Sequence, residues 1–159
     1  MLKRDKTPRF AWHLSCSRKL GADKVVLKPS KRGINRGDNE PKDSRVCVSL
    51  EPGGCFVAIP TDSDRKFHLY RTYNKVKSYH PYEVDDAKVT QERWLTESKT
   101  FIRMHTFSSD DMEIYRGIFH SIQKANHGYA IGGNDAGSLK SQKDARKKIN
   151  KALKQIGIS

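Results

Sequence analysis

The sequence predicts an α+β fold in which a small mixed or antiparallel sheet is followed by two helices, the last one basic. Three observations predict it. Between residues 8 and 107, short runs of alternating apolar and polar residues are separated by Gly, Pro, Asn and Asp, which is the pattern of half-buried strands closed by turns. At Ser108 the apolar period lengthens to that of a helix. Beyond a glycine-rich stretch, a second helical pattern carries lysine on most of its polar positions.

Residues 1–7 are charged, end in Thr-Pro, and read as a flexible basic arm. Strand patterns follow at Arg9 to Ser15, at Val25 to Leu27 before Pro29, and at Arg45 to Leu50. Residues 30–44 have no periodicity and read as a functional or mobile loop. After the turn Glu51 to Gly54 comes a short helical stretch from Cys55 to Ile59. Further strands are expected at Phe67 to Tyr73, Val76 to Val84 (an edge strand because of Pro81), Trp94-Leu95 and Phe101 to Phe107. Ser108 with Asp111 three residues on is a capping box, and Met112, Tyr115, Ile118, Phe119 and Ile122 make the buried face of the first long helix. Gly128, Gly132, Gly133 and Gly137 suggest a hinge. The last helix is expected to begin near Ser141 and stop at Gly157, with Ala145, Ile149, Ala152, Leu153 and Ile156 as its apolar stripe. The chain therefore divides into a strand-rich domain over 1–107, an amphipathic helix over 108–125, and a hinge with a basic helix over 126–159, which is expected to be separable if its stripe is not core.

The 159 residues fit one domain, and 35% hydrophobic content allows a modest core. Thirty-one Lys and Arg against 18 Asp and Glu give a net charge of +13. Such a surface gathers phosphates by counterion release, so a nucleic acid, or a protein complex bound to one, is the expected partner. A membrane is not, because there is no long apolar run and the basic segments have no aromatic or aliphatic face. With no signal-peptide core, and three cysteines lacking metal-ligand spacing, a reduced cytoplasmic protein is expected, bacterial or in an infected host cell.

Lysine-rich segments suffice to hold a phosphate backbone without reading bases. The expected contacts are Lys31, Arg32 and Arg36 in the loop and Lys143, Arg146, Lys147, Lys148, Lys151 and Lys154 on the last helix. Their bland reading is a solvated face. Tyr79, His80 and Tyr82 beside Lys75 and Lys77 are a further candidate, for stacking on unpaired bases.

Trp12-His-Leu-Ser15, Val26-Leu-Lys-Pro29, Arg45-Val-Cys-Val-Ser49 with Gly54-Cys55 and Ala58 behind it, Leu69-Tyr70 and Val89-Thr-Gln-Glu-Arg-Trp-Leu95 follow one another in a recognisable order. That succession, over residues 8–107, resembles small phage and bacterial proteins of the ADP-ribosyltransferase fold. The resemblance implies NAD as cofactor, with His13 holding the nicotinamide-side ribose, Ser15 beside it, Ser49 shaping the pocket and Glu92 steadying an oxocarbenium-like transition state. Thr90 departs from the family's two-acid pattern, which counts against transfer to arginine. Each residue also has an ordinary explanation: a core histidine, a strand-ending serine, and a glutamate paired with Arg93 or Lys88. Two functions remain open, an NAD-using transferase acting on or near nucleic acid, and a non-enzymatic basic protein that binds nucleic acid or blocks a host complex. They part on whether His13 and Glu92 point into one cleft, which favours the enzyme, or lie on opposite faces of the sheet, which counts against it.

Overall fold

A computed structural model describes residues 2–16, 21–31, 43–58, 65–81, 87–126 and 136–159. The strands are β1 (Leu2–Arg4), β2 (Trp12–Ser15), β3 (Lys24–Leu27), β4 (Val46–Ser49), β5 (Phe67–Thr72), β6 (Tyr79–Pro81), β7 (Glu92–Leu95) and β8 (Lys99–Phe107). They form one antiparallel sheet in the order β1-β6-β7-β4-β2-β5-β8-β3. The helices are α1 (Pro52–Ala58), α2 (Ala87–Thr90), α3 (Ser109–Ala125) and α4 (Ala136–Gln155). The fold is α+β, as the alternation and the change of period predict.

One face of the sheet is covered by helices. Trp12, Leu14, Phe67, Leu69 and Phe107 project from β2, β5 and β8 into a core shared with Phe56 of α1, Met112, Tyr115 and Phe119 of α3, and Ile149 and Leu153 of α4. On the other face Val46, Val48, Tyr70, Leu95 and Phe101 form a smaller cluster with Ala11 and Leu27. A register shift opposite Leu69/Tyr70 lets Phe101 and Phe107 serve opposite faces although both lie on β8 at even spacing.

The basic arm is a strand. Leu2, Lys3 and Arg4 pair with Pro81, His80 and Tyr79, and Asp5 bonds both Ser78 and Arg93, so β1 becomes the edge and β6, expected there, lies inside it. Its charges hid the strand, yet lysine and arginine on an edge are what keep it from pairing with other chains.

The capping box of α3 forms as expected: Asp111 N–H donates to Ser108 Oγ at 3.1 Å and Ser108 N–H to Asp111 Oδ2 at 2.8 Å. Hydrogen bonding of the carboxylate by Ser108, first from its backbone N–H and then from its side chain, holds the Asp111 pKa below its usual value.

The expected start of α4 was too late. Ser138, Ser141 and Gln142 continue the buried stripe upstream of Ala145, and small or polar side chains give no apolar signal. Ser141 is thus inside the helix rather than at its cap. Ile156 also departs from the expected stripe, being half exposed. Gly157, at φ +85°, turns the chain so that Ile158 returns to the core, with Ile158 N–H bonded to Leu153 O and Gly157 N–H to Lys154 O. The glycine-rich connection at 127–135 lies outside the described residues. The helix beyond it is core: Ala145, Ile149 and Leu153 are wholly buried, and α4 touches α1, α2 and α3.

Candidate functional site

The two halves of the sheet, β1-β6-β7-β4 and β2-β5-β8-β3, meet at a seam between β4 and β2. Only Trp12↔Ser49 is paired across it. Beyond that pair, the Cys47 carbonyl accepts from the His13 ring instead of from β2 backbone, Nδ1 lying 3.0 Å away. A carbonyl can only accept, so Nδ1 carries a proton.

A shallow cleft of about 80 Å³ opens at this seam. Its walls come from β2 (His13, Leu14), β4 (Cys47, Val48, Ser49), α1 (Gly54, Cys55, Ala58), α2 (Thr90) and β7 (Glu92). Three of the four residues singled out by the resemblance, His13, Ser49 and Glu92, line the cleft, but they do not leave the sheet on one side: Ser49, paired with Trp12, and Glu92, paired with Ser49, leave on the helix-covered face, whereas His13, between Trp12 and Leu14, leaves on the other, beside Phe101. Ser15 does not line it: it lies two residues further along β2, half-buried opposite His68.

Ser49 and Glu92 are cross-strand partners on β4 and β7, so their side chains leave the sheet on the same side. Ser49 Oγ donates to Thr90 O at 2.9 Å and accepts from Glu51 N–H at 3.2 Å. Gly54 explains why α1 can approach so closely, since a Cβ there would lie 2.0 Å from Thr90 O and 2.2 Å from Ser49 Oγ. The Glu92 Oε1 accepts from Trp94 Nε1 at 2.8 Å, two residues along the same strand. That bond orients the carboxylate, whose partner is neither Arg93 nor Lys88. Arg93 instead donates its Nε–H to Asp5 at 3.0 Å.

Cys55 forms part of the cleft wall but is no nucleophile. Burial pushes its thiol up to about 12, so the thiolate is absent at neutral pH. All three cysteines are free thiols. No group of three or more His, Cys, Asp and Glu able to hold a metal exists among the described residues.

No family model, curated protein or solved structure matches the chain.

The cationic residues fare differently from one another. Lys143, Lys147, Lys148, Lys151 and Lys154 are exposed on α4, and Lys31 is exposed beside the Ser30↔Arg45 bridge that closes the base of its loop. Arg32 and Arg36 lie outside the described residues. Arg146 must be struck from the expected phosphate contacts. It is buried, and its Nη1 is 2.5 Å from Glu51 Oε2, which also accepts from Asn150 Nδ2 at 2.7 Å. Asn150 Oδ1 in turn accepts the Gly53 N–H at 2.7 Å. These bonds fasten α4 to the start of α1 behind the cleft. Among the described residues no helix is long and apolar enough to cross a membrane.

Whether the lining suits NAD turns on donors and acceptors. A ribose diol needs acceptors, and the Glu92 carboxylate supplies one on the helix-covered side, while His13 stands on the other side of the sheet. A diphosphate needs cations or free donors, and no Lys or Arg borders the cleft among the described residues. The fit extends to one ribose hydroxyl of the cofactor.

Proposed function

We propose that the protein is an NAD-using, ADP-ribosyltransferase-like protein that acts on or near nucleic acid. The observation that supports the reading is that His13, Ser49 and Glu92, from three strands far apart in sequence, all line the cleft at the seam of the sheet, His13 from one side of the sheet and the other two from the other. NAD would supply the ADP-ribosyl group, its nicotinamide–ribose bond breaking while the ribose C1′ bonds to an acceptor whose proton passes to water. Glu92, oriented by Trp94, accepts a ribose hydroxyl and sets a negative charge where positive charge develops. Ser49, with its hydroxyl committed to Thr90 and Glu51, shapes the wall rather than reacting. The positive surface favours acceptors carried by, or bound to, a polyanion.

The test is calorimetric titration with NAD together with nicotinamide release in the presence of nucleic acid. Glu92→Gln keeps the acceptor for Trp94 and removes the charge, so release should drop at least about 100-fold with folding intact. Wild-type protein that neither binds NAD nor releases nicotinamide sinks the reading. The second reading, a non-enzymatic basic protein, is favoured by two observations: His13 and Glu92 leave the sheet on opposite faces, and Ser49 and Glu92 both have structural bonds that explain them without a ligand.

A further inference from the structure

The strongest unassigned feature lies away from the seam and away from α4. Two adjoining hollows, of about 280 and 230 Å³, share Val76 and Lys99 and make a groove at the end of β5 and along the chain leading into β6. Its cations are Lys24 and Lys99 in the first hollow and Arg4, Lys75 and Lys77 in the second, with Lys99 common to both. One acid, Glu97, lines it, and that carboxylate is already paired with Lys99 at 3.1 Å.

The groove is built, not a chance gathering of flexible lysines. Val76 exchanges both backbone bonds with Arg9, at 2.8 and 2.9 Å, and packs against the core of the open sheet face. Ser78 is buried, donating its hydroxyl to Asp5 at 2.7 Å while its carbonyl accepts the Asp5 N–H. With the even positions pinned inward, the alternation of extended chain turns Lys75, Lys77 and Tyr79 outward along one line. Two residues of extended chain span about 6.6 Å, a step a phosphodiester backbone can follow.

Aromatic rings lie among these charges. Tyr73 is 54% exposed, a high value for so large a ring, with the Lys24 ammonium 4.8 Å from its centroid. Tyr79 has the Arg4 guanidinium at 6.0 Å. Exposed rings interleaved with cations fit bases and phosphates together, and only unpaired bases offer a face for stacking. The solvent side of α4 has lysines but no aromatic residue. A duplex would be satisfied with charge alone.

We propose that this groove binds single-stranded nucleic acid, its phosphates on Lys75 and Lys77 and one base stacked on Tyr73. The proposal rests on the nucleic-acid half of the reading above and does not depend on NAD.

The test is fluorescence anisotropy of the full chain with a labelled 12-nucleotide single strand and with a duplex of equal length, over a range of salt and without NAD. The single strand should bind more tightly. Lys75→Ala/Lys77→Ala should lower its affinity about tenfold and flatten the log–log salt slope by about 1.4, at 0.7 per phosphate. Tyr73→Ala should weaken binding at least about fivefold with the salt slope unchanged, and Tyr73→Phe should restore it, which separates stacking from charge. The same pair of changes on α4, Lys147→Ala/Lys151→Ala, should cost less than the groove pair. Equal loss from α4, unchanged binding by Tyr73→Ala, or a duplex bound as tightly would each overturn the proposal. Nicotinamide release by a protein that fails these tests would leave the transferase reading standing while the groove fell.

Discussion

The two faces of the sheet are held by different means. On the covered face, large side chains of β2, β5 and β8 interlock with α1, α3 and α4. The buried cluster on the open face draws on strands and loops alone among the described residues. The covered face also encloses polar work: Arg146, Glu51 and Asn150 tie α4 to α1. Cations at the ends and edges of the sheet, Lys24, Lys75 and Arg4, instead stay near solvent, over Tyr73, Phe10 and Tyr79. The contrast teaches that positive charge has two roles here. Arginines such as Arg146, Arg93 and Arg45 are spent on architecture, whereas the lysines of α4 stand in solvent.

The largest effects should come from the covered face. Leu153→Ala empties a site with no solvent exposure and should cost about 2–5 kcal/mol in urea unfolding, whereas Val26→Ala, 56% exposed, should change little. Deletion of residues 136–159 should abolish cooperative unfolding, and a truncated chain that still unfolds cooperatively would show that the faces are independent. Gly54→Ala ranks next. Its Cβ must displace the Thr90 carbonyl and Ser49, at a cost of about 1–3 kcal/mol, and it should deform the seam cleft with them.

The sheet was legible in the sequence because its strands alternate and their turns carry Gly and Pro, and α3 because its cap and stripe agree. The first turns of α4 were not, since Ser138, Ser141 and Gln142 bury small or polar groups that no hydropathy pattern registers. β1 was hidden because an edge strand of charged residues looks like an arm. Short motifs single out His13, Ser49 and Glu92, but which side of the sheet each takes could not be read, since it depends on the register across β2, β4 and β7. Arg146 was misread because sequence alone cannot tell the buried cation of a lysine-rich helix from its exposed neighbours. One signal was there: Arg146 lies one turn from Gln142 and Asn150, on the flank of the stripe.

Arg146 therefore sharpens the comparison directly. Arg146→Ala leaves Glu51, itself partly exposed, with Asn150 alone, and should cost about 2 kcal/mol with little change in polyanion binding. Lys147→Ala, next in sequence and exposed, should cost no more than about 0.5 kcal/mol. Equal costs in chemical denaturation would contradict the division of labour.

The smallest effect concerns pH and belongs to the open face. Burial, followed by the charges of Arg103 and Lys66, lowers the His68 pKa, and burial with Arg93 and Lys88 lowers that of His80 against a weaker opposite pull from Asp5. Both groups resist protonation in the fold. As pH falls through the ordinary value of 6.5, the unfolded chain takes up protons that the folded chain refuses, so the unfolded state gains. Stability should be level above that value, decline below it, and flatten again once both folded imidazoles are charged. The urea midpoint at constant ionic strength should therefore be lower at pH 5.5 than at pH 7.5, by less than the Leu153→Ala effect. The decline should shrink in His68→Gln/His80→Gln. Because the lowering draws partly on neighbouring cations, added salt should reduce it too, whereas the Leu153→Ala cost should not weaken with salt. A midpoint independent of pH, or a decline that the double substitution leaves whole, would mean that the cations of the open face do not act on these histidines.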